Sequence, residues 1–194
     1  MNPPDPALSR LIEPLRDLSI GAILEAMARE LEADAEVVPE PELRDAAGKV
    51  ARSGPLNLPR RGDLAVTKNG RTLMRRIESD PVPAGPSMVA QTTDGFEAEI
   101  HPFRWDKAKL TVIARQEMPN WGPLRRWFLE WFQSRYSEVA PDLFGAIHSL
   151  DGPRAIPGGW AFTIDFGSAP AACVTDLIAA VAASGAERMR IGQE

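Results

Sequence analysis

The 194-residue sequence predicts an α+β domain, with N-terminal helices followed by an antiparallel meander and two strand–strand–helix units whose helices pack on one face of the sheet. Three observations predict it. Apolar residues recur at helical spacing over the first third of the chain, the period drops to two from Leu64, and after Phe96 the order strand, strand, helix occurs twice. A helical segment with an acidic connector is expected over 1–60 and a sheet-and-helix region over 61–194, the two forming one compact unit.

Leu8, Leu11, Ile12 and Leu15 share one helical face, and Pro14 is expected to kink or divide that stretch. A second helix is expected after Asp17 or Ser19 as N-cap, with Ile20, Ile23, Leu24, Met27 and Leu31 on its inner side. The acidic, proline-bearing stretch Ala33–Pro41 reads as a connector, Glu42–Arg52 as a short helix, and Gly54–Gly62 as loop. Leu64–Thr67 and Arg71–Ile77 flank Asn69-Gly70, whose positive φ angles suit a type I′ hairpin turn. The proline-rich stretch Pro81–Pro86 then breaks the pattern. Strands follow at Met88–Thr92 and Phe96–Phe103, joined through Asp94-Gly95, and at Leu110–Arg115.

Asn120 is placed to cap a helix with Pro123 in its first turn, and Leu124, Trp127, Phe128, Trp131 and Phe132 give that helix a wide apolar face. After Pro141 the period returns to two through Phe144, Ala146, His148 and Leu150, and Asp151–Gly159 reads as a loop. Trp160, Phe162, Ile164 and Phe166 then alternate with Ala161, Thr163 and Asp165, which predicts a strand with one apolar and one polar face. Ser168 is expected to cap a last helix that has Pro170 in its first turn, Ala171, Val174, Leu177, Ile178 and Val181 inside, and Gly185 just past its end. Arg188–Ile191 reads as a short final strand. The repeat runs from Phe96 to Phe132 and from Leu143 to Ser184. Its echo is Ala98-Glu99-Ile100-His101 against Gly145-Ala146-Ile147-His148, which places both histidines of the chain at matching points.

Composition narrows the function classes. Hydrophobic residues at 44% and charged residues at 25% are ordinary globular values. Residues Met1–Pro6 lack the basic and apolar regions of a signal peptide, and no apolar run approaches the ~18–20 residues that span a bilayer. One cysteine, Cys173, precludes an intrachain disulfide, so a cytoplasmic chain without a membrane role is expected. The net charge of −5 is uneven: Glu30 to Glu42 is acidic, whereas Arg60 to Arg76 carries six basic residues against only Asp63. No aromatic residue interleaves the basic ones, which argues against nucleic acid as a partner. The plainer reading is that the two segments face each other.

The candidates for chemistry are few. His101 and His148, with Glu99 and Asp165, could form a polar pocket where the two repeat units meet, as an acid–base pair or metal ligands. Four ligands for a structural zinc are not in view, so no metal or cofactor is assigned. Gly167 and Ser168, at a strand end before a helix, could hold an anion through free N–H groups. Asp165-Phe166-Gly167 matches a kinase tripeptide in letters but lacks the rest of that machinery. Ser168 has no G-x-S-x-G context, and Cys173 has no basic residue within four positions, so it reads as a buried small hydrophobe. Trp105 and Trp121 flank a strand rather than lying on periodic core faces, which marks them as partner-binding residues.

The order helix, three strands, helix, two strands, helix resembles that of small acidic secretion-chaperone-like domains, and bacterial immunity proteins are similar in size and acidity. That resemblance implies a protein that holds a partner. A non-catalytic protein-binding or regulatory domain, engaging a protein partner or forming a homodimer, is therefore the expectation. An enzyme or small-ligand binder with its pocket around His101 and His148 is the alternative.

Overall fold

The computed structural model describes residues 6–82, 85–91, 95–114, 118–134 and 142–193. In chain order the elements are α1 (Pro6–Glu32), β1 (Glu36–Pro39), β2 (Arg52–Ser53), β3 (Leu58–Pro59), β4 (Leu64–Lys68), β5 (Arg71–Arg75), β6 (Met88–Gln91), β7 (Glu97–Ile100), β8 (Ala108–Ala114), α2 (Gly122–Phe132), β9 (Ser149–Ile156), β10 (Gly159–Asp165), α3 (Ala172–Ala182) and β11 (Ala186–Gly192). The chain is α+β with helices packed on a sheet, as the sequence predicts. Asp94 of the expected Asp94-Gly95 turn, and the expected boundary residues Thr92, Arg115 and Pro141, lie outside the described residues.

The N-terminal stretch is one helix, not two. Pro14 removes a hydrogen bond from its interior, at a cost of about 3 kcal/mol in an unsupported helix. Burial outweighs that cost. Leu8, Ile12 and Leu15 enter the main core, while Ile20, Ile23, Ala26 and Met27 form a second cluster with Leu64, Val66 and Leu143. Each large side chain so buried contributes about 1.5–3 kcal/mol. Both clusters lie along one continuous face of α1, so the helix bridges two cores and its continuity is set by packing.

A three-stranded sheet of order β1-β4-β5 joins residues on either side of position 60. Its β4–β5 hairpin turns at Asn69 (φ 53°) and Gly70 (φ 72°), the two positive φ angles foreseen for a type I′ turn. The acidic and basic segments meet here: β1 pairs with β4, and Glu30 forms an ion pair with Arg75 at 3.4 Å. The short helix expected over Glu42–Arg52 does not form. Instead Glu42 bridges to Arg61 and Arg44 to Val50, around a turn in which Asp45 Oδ1 accepts from the Ala47 and Lys49 amides. Local side-chain capping of a turn has outcompeted a weak helical pattern.

The second sheet has six strands in the order β6-β7-β11-β8-β10-β9. It is not the pure antiparallel meander expected, because the final strand β11 enters between β7 and β8 and runs parallel to β7. β9 and β10 pair directly, whereas β7 and β8 are held apart, so the two strand–strand–helix units differ in pairing. The segment read as a loop over Asp151–Gly159 is largely strand β9. Gly152 there has φ 131°, and an added Cβ would stand 2.7 Å from Phe162 Cδ1 and 2.8 Å from the Ala161 carbonyl oxygen, so glycine makes this close approach possible.

One face of the sheet is apolar and covered by α2 and α3. Ala108, Leu110, Val112, Phe162 and Ile164 project into a single core with Leu124, Phe128, Val174 and Leu177. The alternation predicted along Trp160–Phe166 is what places Phe162 and Ile164 inside and Ala161 and Thr163 on the opposite, open face. The N-cap of α2 is Trp121, without a side-chain cap, and Asn120 just before it accepts from the Gly122 amide at 3.0 Å. Ser168, expected to cap α3, does not. α3 begins after Ala171 without a side-chain cap, and Ser168 is buried elsewhere.

Candidate functional sites

The densest polar constellation lies where the two sheets meet, and four segments build it. Glu40 follows β1, held between Pro39 and Pro41 with φ 46°. Asp63 precedes β4, His148 precedes β9, and Asp165 ends β10. Backbone bonds from the Glu40 amide to the Asp63 carbonyl, the Arg61 amide to the His148 carbonyl and the His148 amide to the Asp165 carbonyl lock these segments together at 2.8–2.9 Å.

His148 is wholly buried, and both ring nitrogens are engaged: Nδ1 with Asp63 Oδ1 at 2.9 Å and Nε2 with Glu40 Oε1 at 2.8 Å. Asp165 Oδ1 stands 3.8 Å from Nδ1. The Glu40 carboxylate also accepts from the Ser168 hydroxyl at 2.5 Å, the Ser168 amide at 3.2 Å and the Phe144 amide. Asp63 Oδ2 accepts from the Ile77 amide at 2.6 Å. The Arg61 guanidinium donates to the Glu40 carbonyl and to the Phe132 carbonyl at the end of α2, lying over the rings of Phe132 and Phe144.

Protonation follows from these contacts. Burial alone would lower the pKa of His148, but the charge of Asp165 and the hydrogen bonds to Asp63 and Glu40 raise it to about 10. Burial would raise Glu40, yet the hydrogen bond and charge of His148, with Ser168 and Phe144, hold it below the usual carboxylate range. For Asp165, burial and the negative charges of Asp63 and Asp106 outweigh attraction to His148, so its pKa rises to about 6. His148 is thus an imidazolium that donates two hydrogen bonds. Asp63, His148 and Asp165 each offer a ligand atom within 4.8 Å of the others, and no other such group of three occurs among the described residues. In this arrangement both ring nitrogens carry protons bonded to carboxylates, so a metal ion at Asp63, His148 and Asp165 would have to displace the Nδ1 proton.

The expected site residues fall in separate places. His148 and Asp165 come together, whereas His101 pairs with Glu99 at 2.6 Å beyond β7. Strands β7 and β9 are four spacings apart in the sheet, about 19 Å, so the two histidines do not share a pocket. Three strands, β11, β8 and β10, lie between them. Ser168 does bind an anion through its amide, but that anion is the chain's own Glu40. Gly167 donates its amide to Asp165. Trp105, expected at a partner surface, is fully buried and stacks on Phe166 at 4.6 Å; Trp121 packs edge-on against Phe162 at 5.0 Å. Aromatic area of this size is drawn inside even where the local period gives no hint. Cys173 is buried, and burial raises its thiol well above the ordinary range.

Sequence reasoning missed Glu40 and Asp63. Each left a faint signal, since Glu40 is enclosed by two prolines and Asp63 is the lone acid of a basic segment.

Two further surface features are built from regular elements. Along α1, Pro14, Leu18, Gly21 and Ala22 with Ile77 floor a groove of about 790 Å³ beside the segment Ile77–Asp80. Its rim carries Asp17, Glu25, Glu78 and Asp80 against Arg29. On the open face of the six-stranded sheet a concavity of about 570 Å³ spans β8 to β11. No helix is long and apolar enough to cross a membrane among the described residues. Compared with protein-family models, curated proteins and solved structures, the chain matches none of them.

Proposed function

We propose that this chain is a non-catalytic, cytoplasmic protein-binding domain that receives a basic amphipathic segment of a protein partner along α1. The observation that carries the reading is the groove between α1 and Ile77–Asp80. Pro14, Asp17, Leu18, Gly21, Ala22 and Glu25 succeed one another at i, i+3 and i+4 spacing, so one stripe of the helix forms a whole wall. Leu18 stays 44% exposed there, and Gly21 and Ala22 leave room for incoming apolar side chains. Above this floor stand four acidic residues and one basic residue. Asp17 and Glu78 have weak ion pairs with Arg16 at 3.4 Å and Arg104 at 3.9 Å, whereas Glu25 and Asp80 form none among the described residues. An apolar floor under an acidic rim suits a helix with one apolar and one basic face.

The buried cluster supports the non-catalytic half of the reading. The Ser168 hydroxyl gives its proton to Glu40 rather than to a histidine, and His148 is saturated by carboxylates. Neither arrangement leaves a nucleophile beside a free base.

The test uses an 18-residue helical peptide of alternating lysine and leucine faces, a glutamate–leucine counterpart, and fluorescence anisotropy on the whole chain. The lysine peptide is expected to bind with a dissociation constant near ~10 μM that weakens with salt. Gly21→Trp, placed where an added Cβ meets nothing within 4 Å, is expected to weaken binding about tenfold by filling the groove while the melting temperature holds. Equal binding of both peptides, or indifference to Gly21→Trp, would count against the reading. So would a dimer in light scattering that Gly21→Trp dissociates, since a second copy would then be the occupant.

A further inference from the structure

We infer a second, independent binding site on the open face of the six-stranded sheet, and its ligand is a small hydroxylated organic phosphate. The argument starts from register. Arg190, Thr111, Ala161 and Arg154 lie side by side across β11, β8, β10 and β9, and Gly192, Lys109, Thr163 and Asp151 form the adjacent row. The helices cover the other face, so these two rows floor and wall the 570 Å³ concavity. That volume is within the usual range of small-molecule sites and exceeds what a bare phosphate needs.

The chemistry of the lining selects the ligand. Arg190 and Arg154 stand at opposite ends of one row, three strand spacings or about 14 Å apart, a span that two extended arginine side chains can close over one anionic group. Among the described residues neither arginine forms an ion pair. Lys109, in the neighbouring row, has a contact of its own, so the two arginines carry the site. The nearby acids have partners: Asp151 is paired with Arg60 at 2.9 Å, and Glu99, across from Arg190 on β7, is bonded to His101 at 2.6 Å. Planar guanidinium forks favour phosphate through paired hydrogen bonds. Phe162 borders the concavity, but it is only 2% exposed and belongs to the core, so it offers no stacking plane for a nucleobase, whereas the Thr111 and Thr163 hydroxyls can exchange hydrogen bonds with ligand hydroxyls. A phosphorylated sugar or polyol meets both halves of the lining.

The test is a titration of the whole chain with glucose 6-phosphate, inorganic phosphate and glucose, followed by amide shifts and calorimetry. Glucose 6-phosphate is expected to bind below ~1 mM, with shifts concentrated on β8, β10 and β11, and glucose to give none. Arg154→Ala and Arg190→Ala are each expected to weaken that binding about tenfold, with the melting temperature and the binding of the lysine peptide to the α1 groove unchanged. The inference is overturned if no phosphate probe binds at about 10 mM, if inorganic phosphate binds as tightly as the sugar phosphate, or if binding survives the double arginine variant.

Discussion

Replacing His148 by glutamine is expected to lower the unfolding free energy by about 3–5 kcal/mol, in urea titrations at neutral pH. The cost does not come from lost packing volume. It comes from leaving Glu40, Asp63 and Asp165 facing one another in a buried site after their shared cation is removed. For a domain of this size that is a large part of the ~5–15 kcal/mol total. His148→Gln combined with Glu40→Gln should lose less than the sum of the two single variants, because the second change removes a charge the first left uncompensated. Simple additivity would mean that the imidazolium and the carboxylate are not coupled.

The same group sets the alkaline limit of stability. His148 has an ordinary value of 6.5 and is raised to about 10 in the folded chain, so the folded state holds a proton that the unfolded state has lost. Its contribution is complete below about pH 6.5 and is lost as pH rises toward 10. Cys173, also raised, acts with the same sign near the upper end of that window, and a Cys173→Ala background removes it. In that background the fall in stability between pH 6.5 and 10 should be steep, and His148→Gln should flatten it. Asp165, raised from 3.8 to about 6, adds a shallower decline in stability as pH rises through that lower interval. Glu40, held low, works in the opposite direction and weakens the fold as acid protonates it. A profile unchanged by His148→Gln would show that the ring is not charged in the native state.

Gly167→Ala is expected to cost about 2–5 kcal/mol. Gly167 has φ 54°, a left-handed conformation costing an L-residue about 1–2 kcal/mol. Its Cβ would also press into the His148 ring and the Ala146 carbonyl oxygen, which the cluster and the backbone hold in place. Overpacking of that kind adds about 1–3 kcal/mol. Gly158→Ala provides the comparison, because Gly158 has φ 79° and an added Cβ there meets nothing within 4 Å. It should lose only the conformational share. Equal losses at both sites would mean that the chain around His148 yields, and that the cluster is less rigid than its hydrogen bonds imply.

The sequence carries the parts of this fold that depend on local rules. Alternation along Trp160–Phe166, the wide stripe of α2 and the Asn69-Gly70 turn each fix an element from residues that are neighbours in the chain. The inner stripe of α3 and the β-period of Arg188–Ile191 are legible for the same reason. The lining of the sheet concavity is partly legible too, since alternation along Trp160–Phe166 puts Ala161 and Thr163 on the polar face. Where the fold departs from the local pattern, a distant partner decides the outcome. Helical spacing alone could not show that Pro14 would be tolerated, because the support for α1 comes from two separate cores. Trp105 lies on no periodic face, yet Phe103 and Phe166 enclose it.

The buried cluster shows the division most clearly. By itself the sequence determined that this is an α+β chain of helices on a sheet, with an apolar and a polar sheet face, because side-chain period is a property of consecutive residues. It also supplied His148 and Asp165 as polar residues within two successive stretches of period two. Only the tertiary structure decided which groups those residues meet. Glu40 and Asp63 arrive from 108 and 85 positions away, and β11, β8 and β10 together separate His101 from His148. The physical reason is that a charge inside a protein needs a counter-charge at ~3 Å, and such a distance is fixed by how sheets dock and strands insert rather than by spacing along the chain.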